Sequence, residues 1–429
     1  MRKTSRKIVA AVSALALVGA CAAVGLAPQT KLANSETVAT STDSTANAAW
    51  RAAWPAEYYS FANGADDMDD MGGFITKTGN THSHATLFTN MGEFSKSTCI
   101  SCKSSKFNEW YDEYGSDVFY DRYNKDTDNR WIDDLQADDV WSCTTCHTDI
   151  ANPSGTVGAQ IVTFQKFGND LLQELDPETA ACGQCHNGLG PWNNLRILDG
   201  RDIDNEDIQA YRYGWDADSM LKATLEDATA TSESPNGKTY TPTKGSHAQC
   251  DESLDIYRID NGGHFDVEIF QGSVMQQAGL TCTDCHMPKI TTETGETFTS
   301  HDASGSPLDS YSALTKCLDC HKNQGIETQE DMVAFVRNAQ DEVAQADAAV
   351  AAKQDQLFPM LQDAISNAKF DEDTLDKARY NYAVAAYYKE YAFNEAEKAG
   401  EKIAHNPDVT RQLLKKADSL LDDTIAMLS

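Results

Sequence analysis

The stretch "STCISCKSSKF", residues 97–107, contains the pair Cys99 and Cys102 followed directly by Lys103. The same Cys-x-x-Cys spacing recurs four times, and each time a histidine follows: the sets are Cys143/Cys146/His147, Cys182/Cys185/His186, Cys282/Cys285/His286 and Cys317/Cys320/His321. With only 10 histidines in 429 residues, four such coincidences do not arise by chance. Five related motifs therefore organise most of the chain.

The Cys-x-x-Cys-His pattern is the attachment signature of c-type haem. Two thiols bond the vinyl groups of one haem, and the next side chain reaches the iron as an axial ligand. A zinc ribbon also uses paired cysteines, and disulfides suit an exported chain, but neither requires a histidine after each pair. The sequence predicts five covalently bound c-type haems, held by the five cysteine pairs.

Lys103 stands where the other motifs have histidine, and two explanations are open. One is a degenerate site that has lost its histidine. The other is an iron held by lysine, whose amine must be deprotonated, a state that burial favours by lowering the lysine pKa. A differently ligated iron is the natural candidate for a substrate site, whereas irons held on both sides only relay electrons.

The N-terminus predicts export. Residues 1–21 combine a positively charged start with a short apolar run that ends at "VGAC", which resembles a lipoprotein cleavage site with Cys21 as the lipid-bearing residue. Ordinary cleavage is the alternative. Residues 22–49 are rich in Ser, Thr and Ala and predict a flexible tether. We expect a periplasmic or other extracytoplasmic location. Lipoprotein-type cleavage would add a lipid anchor on Cys21.

The net charge of −31 argues against nucleic-acid binding, which needs a basic surface. It fits either the solubility of an exported protein or the steering of a basic redox partner.

The predicted fold is mainly α. Residues 50–325 are expected to form a pentahaem domain with short helices and long loops, because the porphyrins supply much of the core. Residues 326–429 show helical periodicity and predict long C-terminal helices. Their apolar faces are explained by packing on the haem domain, by dimerisation, or by both.

Several segments resemble the ammonia-forming pentahaem cytochrome c nitrite reductases. Besides the lysine motif, they are "WPAEYYSF" at 54–61, "HATLFTN" at 84–90, "HFDVEIF" at 264–270, "TCTDCHMPK" at 281–289 and "FTSHDASGSP" at 298–307. The resemblance implies that Lys103 binds the active-site iron, that His264 is the active-site histidine, and that His84 and His301 are distal haem ligands. It further implies reduction of nitrite to ammonium, a membrane-bound quinol-oxidising cytochrome or similar electron donor, and a homodimer.

The match to that family has gaps around the substrate pocket. No arginine lies between Arg51 and Arg122, where the family has one in its active site. The third motif continues as "CHNGLGPW" instead of Glu-Tyr-Tyr, and 261–263 read Asn-Gly-Gly where a Lys-x-Gln is expected, which removes the family's calcium ligands and a tyrosine.

Two distal ligands also differ from the family. Met275 stands in place of a histidine and is either a ligand that raises the haem potential or a core methionine. Phe393 occupies the place of the expected C-terminal histidine, while His82, His247 and His405 are expected at the surface. Two alternatives to nitrite reduction follow: an electron-transfer cytochrome that feeds a separate reductase, and a reductase of another small substrate.

Overall fold

The computed structural model describes residues 45–63, 100–102, 104–120, 124, 126–135, 142–167, 174–188, 211–229, 232–233, 239–240, 265–303, 306–393 and 400–429. Its helices, in chain order, are α1 (Thr45–Ala53), α2 (Pro55–Asn63), α3 (Lys106–Tyr114), α4 (Asp117–Tyr120), α5 (Val162–Phe167), α6 (Pro177–Gly183), α7 (Ala217–Thr229), α8 (Asp266–Phe270), α9 (Val274–Gln277), α10 (Cys282–His286), α11 (Tyr311–His321), α12 (Gln329–Ser366), α13 (Glu372–Ala392), α14 (Lys402–His405) and α15 (Pro407–Leu428). The mainly helical fold expected from the sequence is confirmed.

Strands are short in the described part of the chain. β1 (Ser232–Glu233) pairs with β2 (Thr239–Tyr240), and β3 (Lys289–Thr291) pairs with β4 (Thr297–Thr299), both antiparallel. The second hairpin follows the fourth cysteine motif directly and leads to His301. It therefore fixes the position of that histidine relative to the motif regions.

Helix α12 begins at a capping box. The Thr328 hydroxyl accepts from the Asp331 amide, and the Asp331 carboxylate accepts from the Thr328 amide, both at 3.1 Å. These bonds satisfy amides that have no partner within the helix. Of the predicted apolar stripe, Met332 and Val343 are buried, while Phe335 is about half exposed.

Helix α13 joins the C-terminal helices to the motif-bearing part of the chain. The hydroxyl of Tyr387 donates to the Ala217 carbonyl at 3.1 Å, and that of Tyr391 donates to the Trp215 carbonyl at 2.8 Å. Both tyrosine rings are almost completely buried. The apolar faces of these helices therefore pack within the chain, as one of the two explanations drawn from the sequence predicted. Dimerisation through the same helices stays a prediction.

A buried ion pair links α12 to α13. Lys389 Nζ lies 3.4 Å from Asp347 Oδ1, and both side chains are at most 10% exposed. A buried charge is costly unless it is paired, so this contact fixes how the two helices are aligned.

The composition of residues 372–405 predicts one helix that continues to the Asn406–Pro407 pair, but α13 ends at Ala392. Phe393 adopts an extended conformation, with φ −147° and ψ 108°, and its ring is buried in the main apolar core. Gly400 then has a φ of +62°, and its α-carbon approaches α12 closely. Burial of one aromatic ring therefore ends the helix earlier than its composition predicts. The first helix also begins inside the predicted tether, at Thr45.

Among the described residues, no helix combines the length and the apolarity needed to cross a membrane.

We expect Gly400→Ala to destabilise the protein more than Gly325→Ala does. Both glycines have positive φ, which costs an alanine about 1 kcal/mol. A β-carbon at 400 would also lie 3.1 Å from the Gln340 carbonyl oxygen, whereas one at 325 has nothing within 4 Å. The expected losses in unfolding free energy are about 1 kcal/mol for Gly325→Ala and about 2–3 kcal/mol for Gly400→Ala, from strain plus overpacking. If chemical denaturation gave the same loss of unfolding free energy for both variants, the close contact between Gly400 and α12 would not constrain the fold.

Candidate haem-binding site

Each described cysteine motif forms one tight helical turn. The His147 amide donates to the Cys143 carbonyl at 2.9 Å, and the His186 amide donates to the Cys182 carbonyl at 3.0 Å. The fourth motif is the whole of α10, and the fifth is the last turn of α11. A single turn keeps the two sulfurs and the following side chain close together, as attachment of one ring system requires.

The sulfur atoms are available for covalent attachment. Free thiols in the described motifs include Cys143, Cys146, Cys182, Cys282, Cys285, Cys317 and Cys320. Burial raises the pKa of Cys143, Cys146 and Cys285 to about 12.

Gln184, inside the third motif, ties that motif to the second. Its Nε2 donates to the Thr145 carbonyl at 3.1 Å and contacts Cys146 Sγ at 3.5 Å. Its Oε1 accepts from the amides of Gln160 and Ile161 at 2.7 and 3.0 Å. Because the amide side chain is fully buried, these bonds fix the two motifs rigidly against each other.

The remaining motifs continue the same series of contacts. Cys185 Sγ lies 3.7 Å from the Cys102 carbonyl oxygen, which joins the third motif to the first. The Cys182 and Cys282 side chains lie next to each other, which joins the third motif to the fourth. An ion pair between Lys316 and Asp284 joins the fifth motif to the fourth. All five motif regions are thus connected.

Two pairs of imidazole rings face each other at a separation that suits a shared metal ion. The ring centres of His147 and His301 are 6.1 Å apart, and those of His286 and His405 are 6.2 Å apart. With metal–nitrogen bonds of about 2 Å, as for imidazole on zinc, two rings on opposite sides of one ion have centres about 6 Å apart. The sequence singled out His301, whereas it placed His405 at the surface.

His405 is in fact only 26% exposed, and its Nδ1 atom is buried. Its ring partner His286 is deeply buried, and burial, reinforced by the nearby His405 and His186, lowers the pKa of His286 to about 4. Burial likewise lowers the pKa of His301. A lowered pKa favours neutral imidazoles at His286 and His301, and the neutral form is the one that binds metals.

The second ring nitrogen has an oxygen partner in three of the four motif histidines. Nδ1 of His147 bonds the Pro153 carbonyl at 2.9 Å, that of His186 bonds Asp266 at 3.2 Å, and that of His321 bonds Gln324 at 3.1 Å. In His301, Nδ1 bonds the Thr299 carbonyl at 3.0 Å. An oxygen at Nδ1 fixes the tautomer and leaves Nε2 for a metal. The residues present therefore fit haem iron.

Helices α1 and α2 hold the second cysteine motif and the nearby His301 in place. The Asn47 side chain accepts from the Cys143 amide at 3.1 Å, and the Ser60 hydroxyl accepts from the His301 amide at 2.8 Å. The Trp50 ring lies 5.7 Å from the His147 ring. The segment "WPAEYYSF" thus contributes to positioning a distal histidine.

Several predicted site residues lie outside the described residues. They are Cys21, Cys99, Lys103, His84 and His264. Met275 lies on α9 and is partly buried. Phe393 lies in the apolar core, whereas His405, near it on α14, faces His286.

The segment after position 264 carries two further features that the sequence did not single out. Glu268 is buried and accepts hydrogen bonds from the Gly188 amide and the Tyr211 hydroxyl, and burial raises its pKa to about 7. The ring of Phe265 lies 2.1 Å from where a β-carbon at 188 would be. A side chain at 188, two residues after the third motif histidine, therefore has no room beside Phe265.

The fold and these sites define a multihaem c-type cytochrome. The family model for cytochrome c552 matches residues 74–428, and the chain belongs to that family. A 70-residue stretch, 16% of this chain, is 39% identical to cytochrome c-552 of Haemophilus ducreyi (strain 35000HP / ATCC 700724) and covers only 13% of that protein's length.

The cytochrome c nitrite reductase catalytic subunit of Desulfovibrio desulfuricans ATCC 27774, a protein with two calcium sites, has a similar fold. Its TM-score is 0.61 at 18% identity, covering 91% of this chain and 87% of that one. At this identity the likeness shows the fold, which agrees with the family resemblance of the sequence motifs.

We expect Gln184→Met to lower the unfolding free energy by about 2–4 kcal/mol, because the buried Gln160 and Ile161 amides lose their acceptor. Gln165→Met is the matched control, since the Gln165 amide makes its bond to Ala159 at the surface, and it should change stability by less than about 0.5 kcal/mol. Denaturant unfolding of the haem-loaded protein measures both. Similar values for the two variants would mean that the Gln184 bonds do not hold the motifs together.

Proposed function

We propose that this protein is an exported pentahaem reductase that converts nitrite to ammonium. The observation that carries the proposal is Lys103, which replaces histidine in one of five haem motifs of a chain in the cytochrome c552 family. In this proposal the four sites with a motif histidine relay electrons, and the one site with a motif lysine reduces the substrate.

When bound, the haems would supply the redox chemistry and carry electrons to the site at Cys99/Cys102 for the six-electron reduction of nitrite. Lys103 would hold the iron there through its deprotonated amine, in place of the histidine of the other motifs. His264 donates protons as oxygen leaves, because an imidazole exchanges protons near neutral pH.

The relay irons are assigned axial partners as follows. His147 pairs with His301 and His286 pairs with His405, which their ring separations of 6.1 and 6.2 Å support. His84 and Met275 are proposed as distal ligands of the remaining relay irons, from the family resemblance. The continuous contacts between motifs support electron transfer among all five haems.

The remaining assignments complete the proposal. A signal peptide at 1–21 exports the protein to the periplasm or another extracytoplasmic space, with Cys21 as a lipid anchor. A membrane-bound quinol-oxidising cytochrome or similar donor supplies electrons, and the C-terminal helices form a homodimer. Calcium is left out, because Phe265 fills the space where a ligand at 188 would stand.

The first test is nitrite-dependent oxidation of a reduced viologen dye by the purified haem-loaded protein. We expect ammonium as the product, with six dye electrons consumed per nitrite. The missing arginine and tyrosine weaken anion capture, so turnover should be slower than in a complete pocket. Oxidation by another small substrate but not by nitrite would identify a different reductase. No oxidation by any small substrate would favour the electron-transfer alternative.

The second test concerns His405. We expect His405→Ala to convert one low-spin ferric haem to high spin, because the iron at Cys282/Cys285 loses one of its two axial ligands. Phe393→Leu is the matched control: it alters the position where the family has its histidine but should leave every low-spin signal intact. Electron paramagnetic resonance of the oxidised protein measures both. A low-spin spectrum that His405→Ala leaves unchanged would refute the axial assignment.

A further inference from the structure

Histidines from two different haem sites converge on one carboxylate. Asp266 lies in the first turn of α8, and its Oδ2 atom accepts from His186 Nδ1 at 3.2 Å. Its other oxygen, Oδ1, lies 3.7 Å from His405 Nδ1. His186 belongs to the third motif, and His405 faces the histidine of the fourth. One acidic side chain therefore contacts axial residues on both sites.

This carboxylate is partly shielded from bulk water, since the Asp266 side chain is 17% exposed. The hydrogen bond from His186 and the nearby positive charge of Lys402 both favour its ionised form. An ionised carboxylate acts more strongly on neighbouring groups where less solvent screens it.

In both contacts with Asp266 the histidine presents Nδ1 to the carboxylate, which leaves Nε2 for a metal ion. His405 Nδ1 is buried and makes no hydrogen bond, yet it points at the Asp266 carboxylate. A proton on Nδ1 that faces an anion leaves the lone pair of Nε2 for iron. The same argument holds for His186, whose Nδ1 already donates to Asp266.

We propose that Asp266 is a positioning residue that lowers the reduction potentials of two neighbouring haems together. The inference rests on the proposed axial role of His405. A carboxylate that accepts from an axial imidazole makes the imidazole more electron-donating, which favours the ferric state. The negative charge of the carboxylate acts in the same direction on both irons.

Sharing has a consequence that two separate carboxylates would not have. The third and fourth motifs meet at Cys182 and Cys282, so haems held there would be direct neighbours in the relay. One charge acting on both shifts their potentials in the same direction, so any change at Asp266 moves both at once.

The test is a spectroelectrochemical titration of the haem-loaded Asp266→Asn protein at fixed pH. Asparagine keeps the shape and one acceptor oxygen but removes the charge. We expect two low-spin components to shift to higher potential while the others stay in place. One of the two must be the component that becomes high-spin in His405→Ala.

Asp319→Asn is the matched control. Asp319 is exposed between the cysteines of the fifth motif, so this variant removes a carboxylate near a haem without touching an axial histidine. We expect it to leave the two Asp266-dependent components unchanged. Asp266→Glu retains the charge with a longer side chain and should shift the potentials of the same two components less. This variant replaces Asp266→Asn in the titration if Asp266→Asn does not assemble with haem.

Three outcomes would overturn the inference: no shift, a shift of a single component, or loss of low-spin signal without any change in potential. The last would mean that Asp266 only holds His405 in place. Failure of the His405 assignment is recognised separately, because His405→Ala would then leave all low-spin signals intact whatever Asp266→Asn does.

Discussion

The main-chain bond from a motif histidine to the carbonyl of its first cysteine is the constraint on which the rest of the structure depends. It measures 2.9 Å in the second motif and 3.0 Å in the third. The bond closes a single turn that places two sulfurs and one imidazole around the same space. Attachment is therefore a local property, and the remaining chain has only to arrange these turns relative to one another.

That arrangement uses few contacts, and they are strong ones. Gln184 makes its bonds to the second motif inside the core, where an unsatisfied amide would be costly. The tyrosines of α13 then bind carbonyl groups at 215 and 217, which anchors the C-terminal helices to the motif region. Electron relay requires a constant distance between donor and acceptor groups. Rigid spacing between the motifs provides that constant distance.

The same packing places charge beside the proposed relay. Asp266 and two imidazoles lie close to Lys402, whose ammonium group is next to the aromatic ring of Phe265. Phe265 also stacks on Tyr391, with ring centres 3.8 Å apart, and occupies the space beside Gly188. Phe265 is therefore part of the apolar support beside the third and fourth motifs.

The sequence by itself determined the class of the protein. Spacing of cysteine and histidine along one turn is a local pattern, so the five motifs, the exceptional Lys103 and the mainly helical fold could all be predicted from it. It also predicted that His301 is a distal histidine, but only through resemblance to a family. Helical periodicity likewise located α12 and α15, because their buried faces repeat along a short stretch of chain.

Only the tertiary structure decided which distant residues meet. His405 faces His286 although the two lie far apart in sequence, and no local pattern distinguishes it from a surface histidine. Burial of Phe393 ended α13 early and brought α14 back against the motif region, a result of packing that composition does not encode. The role of Asp266 likewise depends on two histidines that converge only when the chain folds, because contacts at 3–4 Å are set by packing and not by order along the chain.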